Sequence, residues 1–276
     1  MIKENEFFNI VDEQIEAFSQ NFAFKKEAKG KYNFEKLSYD VLKEQEKDLK
    51  VKSGHYECLN FSNLILFLKN AQNYATNKLF DVLKKFFNEL KITKNSLVLC
   101  VGLGNRGIVA DSLGSMVTQK LLATSTIPLS LRENLGTLCF LNTSVGGLTG
   151  VESFLITKSV TKNLKPDIII FVDTLLTHSL KRLGVSFQVS NSGITPGAGV
   201  FNPQKSLDKN SLKVPVLAIG VPMLILAKDL GENILTEAKK MAFAPKEVDI
   251  YIKVCSQIIA DAINKVVHGS GYKNYI

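Results

Sequence analysis

Residues 97–114 read LVLCVGLGNRGIVADSLG. Leu97 to Val101 form an unbroken apolar run without alternation, the pattern of a central, parallel-type strand covered on both faces. Gly102 and Gly104 end the run with a turn. NRGIVAD then delivers Asp111 to the start of a helical pattern, DSLGSMVTQKLLA, with Leu113, Val117, Leu121 and Leu122 on one side. Residues 167–173, DIIIFVD, form a second apolar strand that ends on Asp173. Sites in open α/β sheets form at the carboxyl ends of strands. Two such strands therefore set two carboxylates in one cleft at one edge of a sheet.

Outward from this centre, residues 61–90 carry apolar side chains at helical spacing, from Leu64 to Leu90, and predict one long helix or two joined ones. SFLITKSVTKNL at 153–164 predicts a helix, and TLLTHSLKRLG after Asp173 predicts another, closed by Gly184. SFQVSNSG predicts a short or edge strand. VPVLAIGVPM at 214–223 is a third apolar strand ending in a Gly-x-Pro turn, and 246–267 is an amphipathic helix. Leu138–Leu141 predicts a short strand. TSVGGLTGVES and GITPGAGVFNP are glycine-rich loops of the kind that bring backbone close to a ligand. The first fifty residues are charged: 8–20 is a helix candidate, 25–33 an exposed loop, and 35–50 partly helical. Strands alternate with helices, so the class is α/β with a mixed or mostly parallel central sheet flanked by helices. One domain over 1–276 is expected, with 1–60 a peripheral segment or a removable propeptide.

The glycines Gly102, Gly104 and Gly107 match G-x-G-x-x-G. No acidic residue follows a second strand at the required distance, so the dinucleotide reading lacks support. The phosphate-loop pattern and the G-x-S-x-G nucleophile turn are absent from the sequence. Four cysteines stand singly, at 58, 100, 139 and 255, without a C-x-x-C pair, and there are three histidines. No metal and no cofactor are expected. Cys100 and Cys255 read as core residues, and His178, on the helix expected after Asp173, as an exposed or interfacial one. The net charge is +8, spread along amphipathic segments without a nucleic-acid motif, so direct nucleic-acid binding is not expected. No apolar run reaches the roughly eighteen residues that cross a bilayer, and the start lacks a signal-peptide core, which points to a cytoplasmic protein.

Asp111 and Asp173 have two open readings. Each opens a helical pattern and suits an N-cap. Alternatively they are a catalytic pair: two close carboxylates resist joint ionisation, so one takes a proton from water while the other donates one.

An ordered series of motifs resembles the germination protease family of endospore-forming bacteria: VGLGN at 101–105, ADSLGS at 110–115, GGLTGVES at 146–153, KPDIIIFVDTL at 165–175, SNSGITPGAGVFNPQKSL at 190–207, VPVLAIGVPM at 214–223, APKEVD at 244–249 and IIADAIN at 258–264. The resemblance implies a phosphorylase/hydrolase-like α/β fold. It also implies an aspartic-type endopeptidase that cuts small acid-soluble spore proteins after a glutamate during germination. Such a protein is made as a zymogen, works as a homotetramer and acts in the forespore or spore core. It places the two essential aspartates at Asp111 and Asp173. Substrate-binding candidates are Gly104, Asn105, Gly147, Gly150, Glu152, Gly193, Pro196 and Gly197. The chain departs from the family pattern at Arg106, Ala110, Ser115, Ser153 and Thr195, and the family's N-terminal segment is not recognisable in residues 1–30.

Overall fold

The computed structural model describes residues 24–27, 31–49, 51–132, 135–197, 205–230 and 241–275. In chain order the elements are β1 (Phe24–Glu27), β2 (Glu35–Val41), α1 (Glu46–Leu49), β3 (Gly54–Asn60), α2 (Leu64–Phe67), α3 (Lys69–Glu89), β4 (Leu97–Gly102), α4 (Leu113–Thr118), β5 (Thr137–Asn142), α5 (Gly146–Thr149), α6 (Ser153–Leu164), β6 (Ile168–Thr177), β7 (Ser186–Ser190), α7 (Lys209–Leu212), β8 (Val216–Leu226), β9 (Ala242–Phe243) and α8 (Val248–His268).

The strands join one mixed sheet in the order β1-β2-β3-β7-β8-β6-β4-β5, with β9 added to β8. β8, β6, β4 and β5 are mutually parallel; β1, β2, β3 and β7 run antiparallel to their neighbours. The parallel half carries the apolar runs seen in the sequence. Val98, Cys100, Ile168, Ile170 and Val172 face α3, α4 and α8, while Leu99, Val101, Ile169 and Phe171 face α6 and the segment around Leu207 and Leu212. Side chains alternate between faces along a strand, so both faces of these strands bury apolar surface. α3 contributes Leu79, Leu83 and Phe86, all inaccessible to solvent, each worth about 1.5–3 kcal/mol of burial.

Several sequence expectations change. Residues 35–41 form strand β2 and only 43–49 are helical; part of the expected loop at 25–33 is strand β1. Alternating Leu37, Tyr39 and Val41, which cover Tyr56 and Cys58 with Leu49 and Val51, explain this. The helix at 61–90 is two helices, separated where Leu68 takes an extended conformation. The helix after Asp111 stops at Thr118. β6 does not end on Asp173: TLLT continues it to Thr177, and only a short 3-10 turn, Leu180–Arg182, follows in place of the expected helix. β8 likewise runs through Gly220 and Pro222 to Leu226. Pro222 has no N–H to donate, and it sits beside a bulge in β8, where Met223 is the extra residue between the pairs Leu175–Pro222 and Leu176–Leu224, a position a sheet tolerates for proline. The helix expected at 8–20 and the loop residues 198–204 lie outside the described residues.

Candidate active site

Leu103 extends β4 by one residue, donating its N–H to Val172 O at 2.9 Å. Gly104 then turns the chain with φ +91°, and a Cβ there would lie 2.2 Å from Asp111 O. Asn105 closes the loop: its Oδ1 accepts from Gly107 N–H (2.8 Å) and its carbonyl from Ile108 N–H (3.0 Å). Its own N–H donates to Asp111 Oδ2 at 2.7 Å. Asp111 closes a 3-10 turn, Val109–Asp111, and Ser112 stands at the N-cap of α4 without a side-chain cap bond. α4 sits hard against the strand ends. A Cβ on Gly114 would lie 2.5 Å from Leu103 N, Leu103 O and Val172 O, so glycine is required for this approach.

Asp173 lies inside β6, on the face of Ile169 and Phe171, and is 7% exposed. Its Oδ1 accepts from Thr174 N–H at 2.9 Å. Neither aspartate caps a helix. Both carboxyls sit above their ordinary range. For Asp173 the rise is large: burial is the main cause and the nearby charge of Asp111 adds to it. For Asp111 burial raises the value and the Asn105 N–H partly offsets it. Asp111 is half-buried and Asp173 is buried, so the charged form is the more disfavoured at Asp173.

A cleft opens over the neighbouring strand β8, and neither Asp111 nor Asp173 is among the residues that line it. Gly220, the residue opposite Asp173 on β8, and Leu175, two residues further along β6, form part of its wall. Gly193, Ile194 and Thr195 form another part. Its enclosed volume is about 20 Å³, room for about one water. The segment before β3 and the strands β3 and β7 complete the wall with Lys52, Tyr56, Gln188, Ser190 and Ser192. Lys52 Nζ pairs with Asp208 Oδ2 at 2.6 Å, and Tyr56 donates its hydroxyl proton to Lys52 O at 2.7 Å.

Gly104, Asn105 and Gly193 are thus at the aspartates or the cleft. Pro196 and Gly197 follow Thr195 on the same loop, Pro196 buried and Gly197 half-buried. Gly147, Gly150 and Glu152 are exposed on the turn after β5, across β4 from β6. Lys52 and Tyr56 had drawn no attention in the sequence, because no residue-type signal links them to the distant loop at Gly193; the alternation of β3 places Tyr56 on a face but not in a cleft.

Two histidines stand differently from expectation. His178 is in the loop after β6, not on a helix, and bonds through Nδ1 to Asp229 Oδ2 at 2.7 Å. His55, which stood in a region without chemical signal, joins a charged cluster under α3. Glu57, fully buried, accepts from Lys85 Nζ (2.8 Å), Ser38 Oγ (2.5 Å) and His55 Nε2 (3.1 Å), and His55 Nδ1 donates to Asp40 Oδ1 (2.7 Å). Burial raises Glu57, but these hydrogen bonds outweigh it and hold the carboxyl at about 2. His55 is raised in turn, first by its bond to Glu57. Among the described residues no group of three or more His, Cys, Asp or Glu is placed to hold a metal ion, and no helix is long and apolar enough to cross a membrane.

Fold and site together define an α/β protein that holds two carboxyl groups, one of them buried, at the carboxyl edge of its parallel strands. The chain belongs to the germination protease family, whose pattern matches residues 2–237. The germination protease of Clostridium acetobutylicum is 30% identical over 84% of this chain and 84% of its own length. That of Clostridium tetani is 35% identical over 74% of this chain and 65% of its own length, and that of Bacillus velezensis 34% over 70% and 54%. Among solved structures, a NiFe hydrogenase maturation protease from Thermococcus kodakarensis aligns over 67% of this chain and 98% of its own, at a TM-score of 0.41 and 19% identity, a likeness too distant to build on.

Proposed function

We propose that this chain is an aspartic-type endopeptidase that cuts small acid-soluble spore proteins during germination, with Asp111 and Asp173 as its acid/base pair. The observation that carries the reading is the inequality of the two carboxyls: Asp173 is buried, and burial and the charge of Asp111 raise it well above its ordinary range, while half-buried Asp111 accepts Asn105 N–H, which offsets part of its own rise. Asp111 takes a proton from water as the water oxygen bonds to the scissile carbonyl carbon. Asp173 gives its proton to the carbonyl oxygen, forming a neutral tetrahedral diol. In the second half Asp111 passes its proton to the departing amine nitrogen. Asp173 recovers a proton from a diol hydroxyl as the C–N bond breaks. Gly104 and Asn105 hold Asp111 in place, and Gly193, Pro196 and Gly197 supply backbone along the substrate. Gly147, Gly150 and Glu152 belong to a more distant part of the same edge.

Lys52 is the one charged side chain in the cleft wall among the described residues. It pairs with a substrate glutamate, the residue after which the family resemblance implies cleavage. The same resemblance supports a zymogen with an N-terminal propeptide, a homotetramer and action in the spore core. The test is cleavage of a purified small acid-soluble spore protein by Asp111→Asn and Asp173→Asn. Each is expected to fold normally and to lose turnover by about 10²–10⁴-fold. Undiminished turnover in either variant overturns the assignment.

A further inference from the structure

The cleft wall carries an ion pair whose partners come from distant parts of the chain. Lys52 precedes β3, and its Nζ donates to Asp208 Oδ2 at 2.6 Å. Asp208 precedes α7 and divides its carboxylate between two tasks. Oδ1 accepts Ser211 N–H at 2.9 Å and caps the helix, which leaves Oδ2 to Lys52. Burial raises the Asp208 carboxyl, but the bonds from Lys52 and Ser211 outweigh it and hold the group below its usual range, so it is an anion at neutral pH. The Gly193 loop lies directly against it: a Cβ on Gly193 would stand 2.3 Å from Leu207 O and 2.8 Å from Asp208 Cα. Lys52 lines the cleft, and Asp208 does not. The cleft is also on the face of Asp173. Asp173, Gly220 and Gln188 follow one another in register across β6, β8 and β7, and residues paired across strands share a face.

A negatively charged side chain that enters the cleft therefore meets an ammonium already paired with a carboxylate. One ammonium balances one carboxylate, and a second beside it is repelled by the first. Tyr56 donates its hydroxyl proton to Lys52 O at 2.7 Å, which fixes the main chain there and leaves the side chain to turn. We propose that Asp208 is a built-in competitor for the substrate's glutamate: it holds Lys52 when no substrate is bound and releases it when a glutamate side chain enters. Asp208 thereby tunes specificity without touching the scissile bond. The inference rests on the reading of Lys52 as the partner of that glutamate. The plain alternative is a tie that only fastens the segment before β3 to the Gly193 loop, and loosening such a tie weakens every substrate alike.

Asp208→Asn separates the two tasks, because asparagine caps a helix as well as aspartate does but carries no charge. The probes are two spore-protein peptides that differ only in glutamate or glutamine before the cut. Asp208→Asn is expected to lower KM for the glutamate peptide by about fivefold, the upper range for an ion pair that water still reaches, an effect on KM rather than kcat. The glutamine peptide is expected to respond to neither change, and in a Lys52→Met background Asp208→Asn is expected to lose its effect on the glutamate peptide. An unchanged or raised KM for the glutamate peptide, an equal change on both peptides, or the same gain without Lys52 overturns the proposal. If neither peptide is cut, calorimetric affinities of the same peptides decide by the same outcomes. If Asp208→Asn does not fold, Asp208→Ser, another capping residue without charge, takes its place. Loss of the glutamate preference in Lys52→Met, together with an unchanged KM in Asp208→Asn, sinks the competitor alone. A preference that survives Lys52→Met sinks the reading of Lys52 beneath it.

Discussion

At the residue scale, burial and charge separate Asp111 from Asp173 in character. Both carboxyls are lifted by burial and each accepts one main-chain N–H, Asp111 from Asn105 in a turn that Gly104 makes possible and Asp173 from Thr174, but only Asp173 is lifted further by the charge of its neighbour. Gly104→Ala puts a Cβ into Asp111 O and a side chain at φ +91°. It is expected to retain the fold but to lose spore-protein cleavage by about 10²-fold, since misplacement by about 1 Å is enough; wild-type kcat in this variant speaks against the geometry. The pair also fixes a pH dependence. Under the proposed roles turnover needs Asp111 ionised and Asp173 protonated, so the acid limb of kcat/KM is expected to report Asp111 and the alkaline limb Asp173. Because the charge of Asp111 helps raise Asp173, Asp111→Asn should let Asp173 titrate lower than in wild type, a shift readable by carboxyl-carbon NMR of labelled aspartate. Lys52 makes a separable prediction. Lys52→Met should raise KM for a peptide with glutamate before the cut and leave a glutamine-containing peptide unaffected; parallel losses on both peptides point to a structural role beside Asp208 instead.

At the element scale, the strands around the site were legible because apolar runs such as Leu97–Val101 and Ile168–Val172 have no other stable home than a covered sheet. The ends were not legible. TLLTHSLKRLG carries helical spacing, yet Thr174 to Thr177 stay in β6 because β8 offers a partner along that whole length; a pairing between segments 47 residues apart overrides local preference. The GVP of β8 resembled a turn for the same reason, and only the bulge at Met223, next to Pro222, shows how the strand absorbs it. Of the proposed site, the two aspartates were read from the sequence as strand-end acids, although Asp173 lies inside β6, whereas Lys52 and Tyr56 came from a segment read as peripheral. α4 was read too long, and its first turn is held close to Leu103 and Val172 at Gly114. That contact gives the element its own test. Gly114→Ala drives a Cβ into three main-chain atoms and is expected to cost about 1–3 kcal/mol or more in urea unfolding. Asp111 should shift with the helix, so activity per folded molecule falls as well. A neutral Gly114→Ala is incompatible with the close approach.

At the scale of the whole molecule, the two buried acids pull stability in opposite directions with pH. Glu57, in the antiparallel half, is depressed to about 2 from an ordinary 4.5. Its contribution is present above the unfolded value and is lost as pH falls from 4.5 toward 2. The shift of roughly 2.5 units corresponds to about 3 kcal/mol at neutral pH. His55, raised first by its bond to Glu57, contributes stability with the reverse pH dependence, fully present below its unfolded value and lost as pH rises through its folded one. Asp173, in the parallel half, is raised. Below its unfolded value the group is protonated in both states and costs nothing. As pH rises, the unfolded chain releases the proton and the folded chain retains it, so stability falls until the folded carboxyl itself ionises. The half that holds the charged cluster therefore resists neutral conditions well, and the half that holds the proposed acid is penalised by them, as expected where a side chain is kept in an unfavourable state for chemistry. Urea unfolding of two variants across pH separates the halves. Glu57→Gln should lose about 3 kcal/mol at pH 7 and little at pH 2. Asp173→Asn should be more stable than wild type at pH 7, and the gain should vanish in acid. A variant with Asp173→Asn that is less stable than wild type at pH 7 would mean that the carboxyl is ionised in the folded protein, and the roles of Asp111 and Asp173 as base and acid would then have to be exchanged.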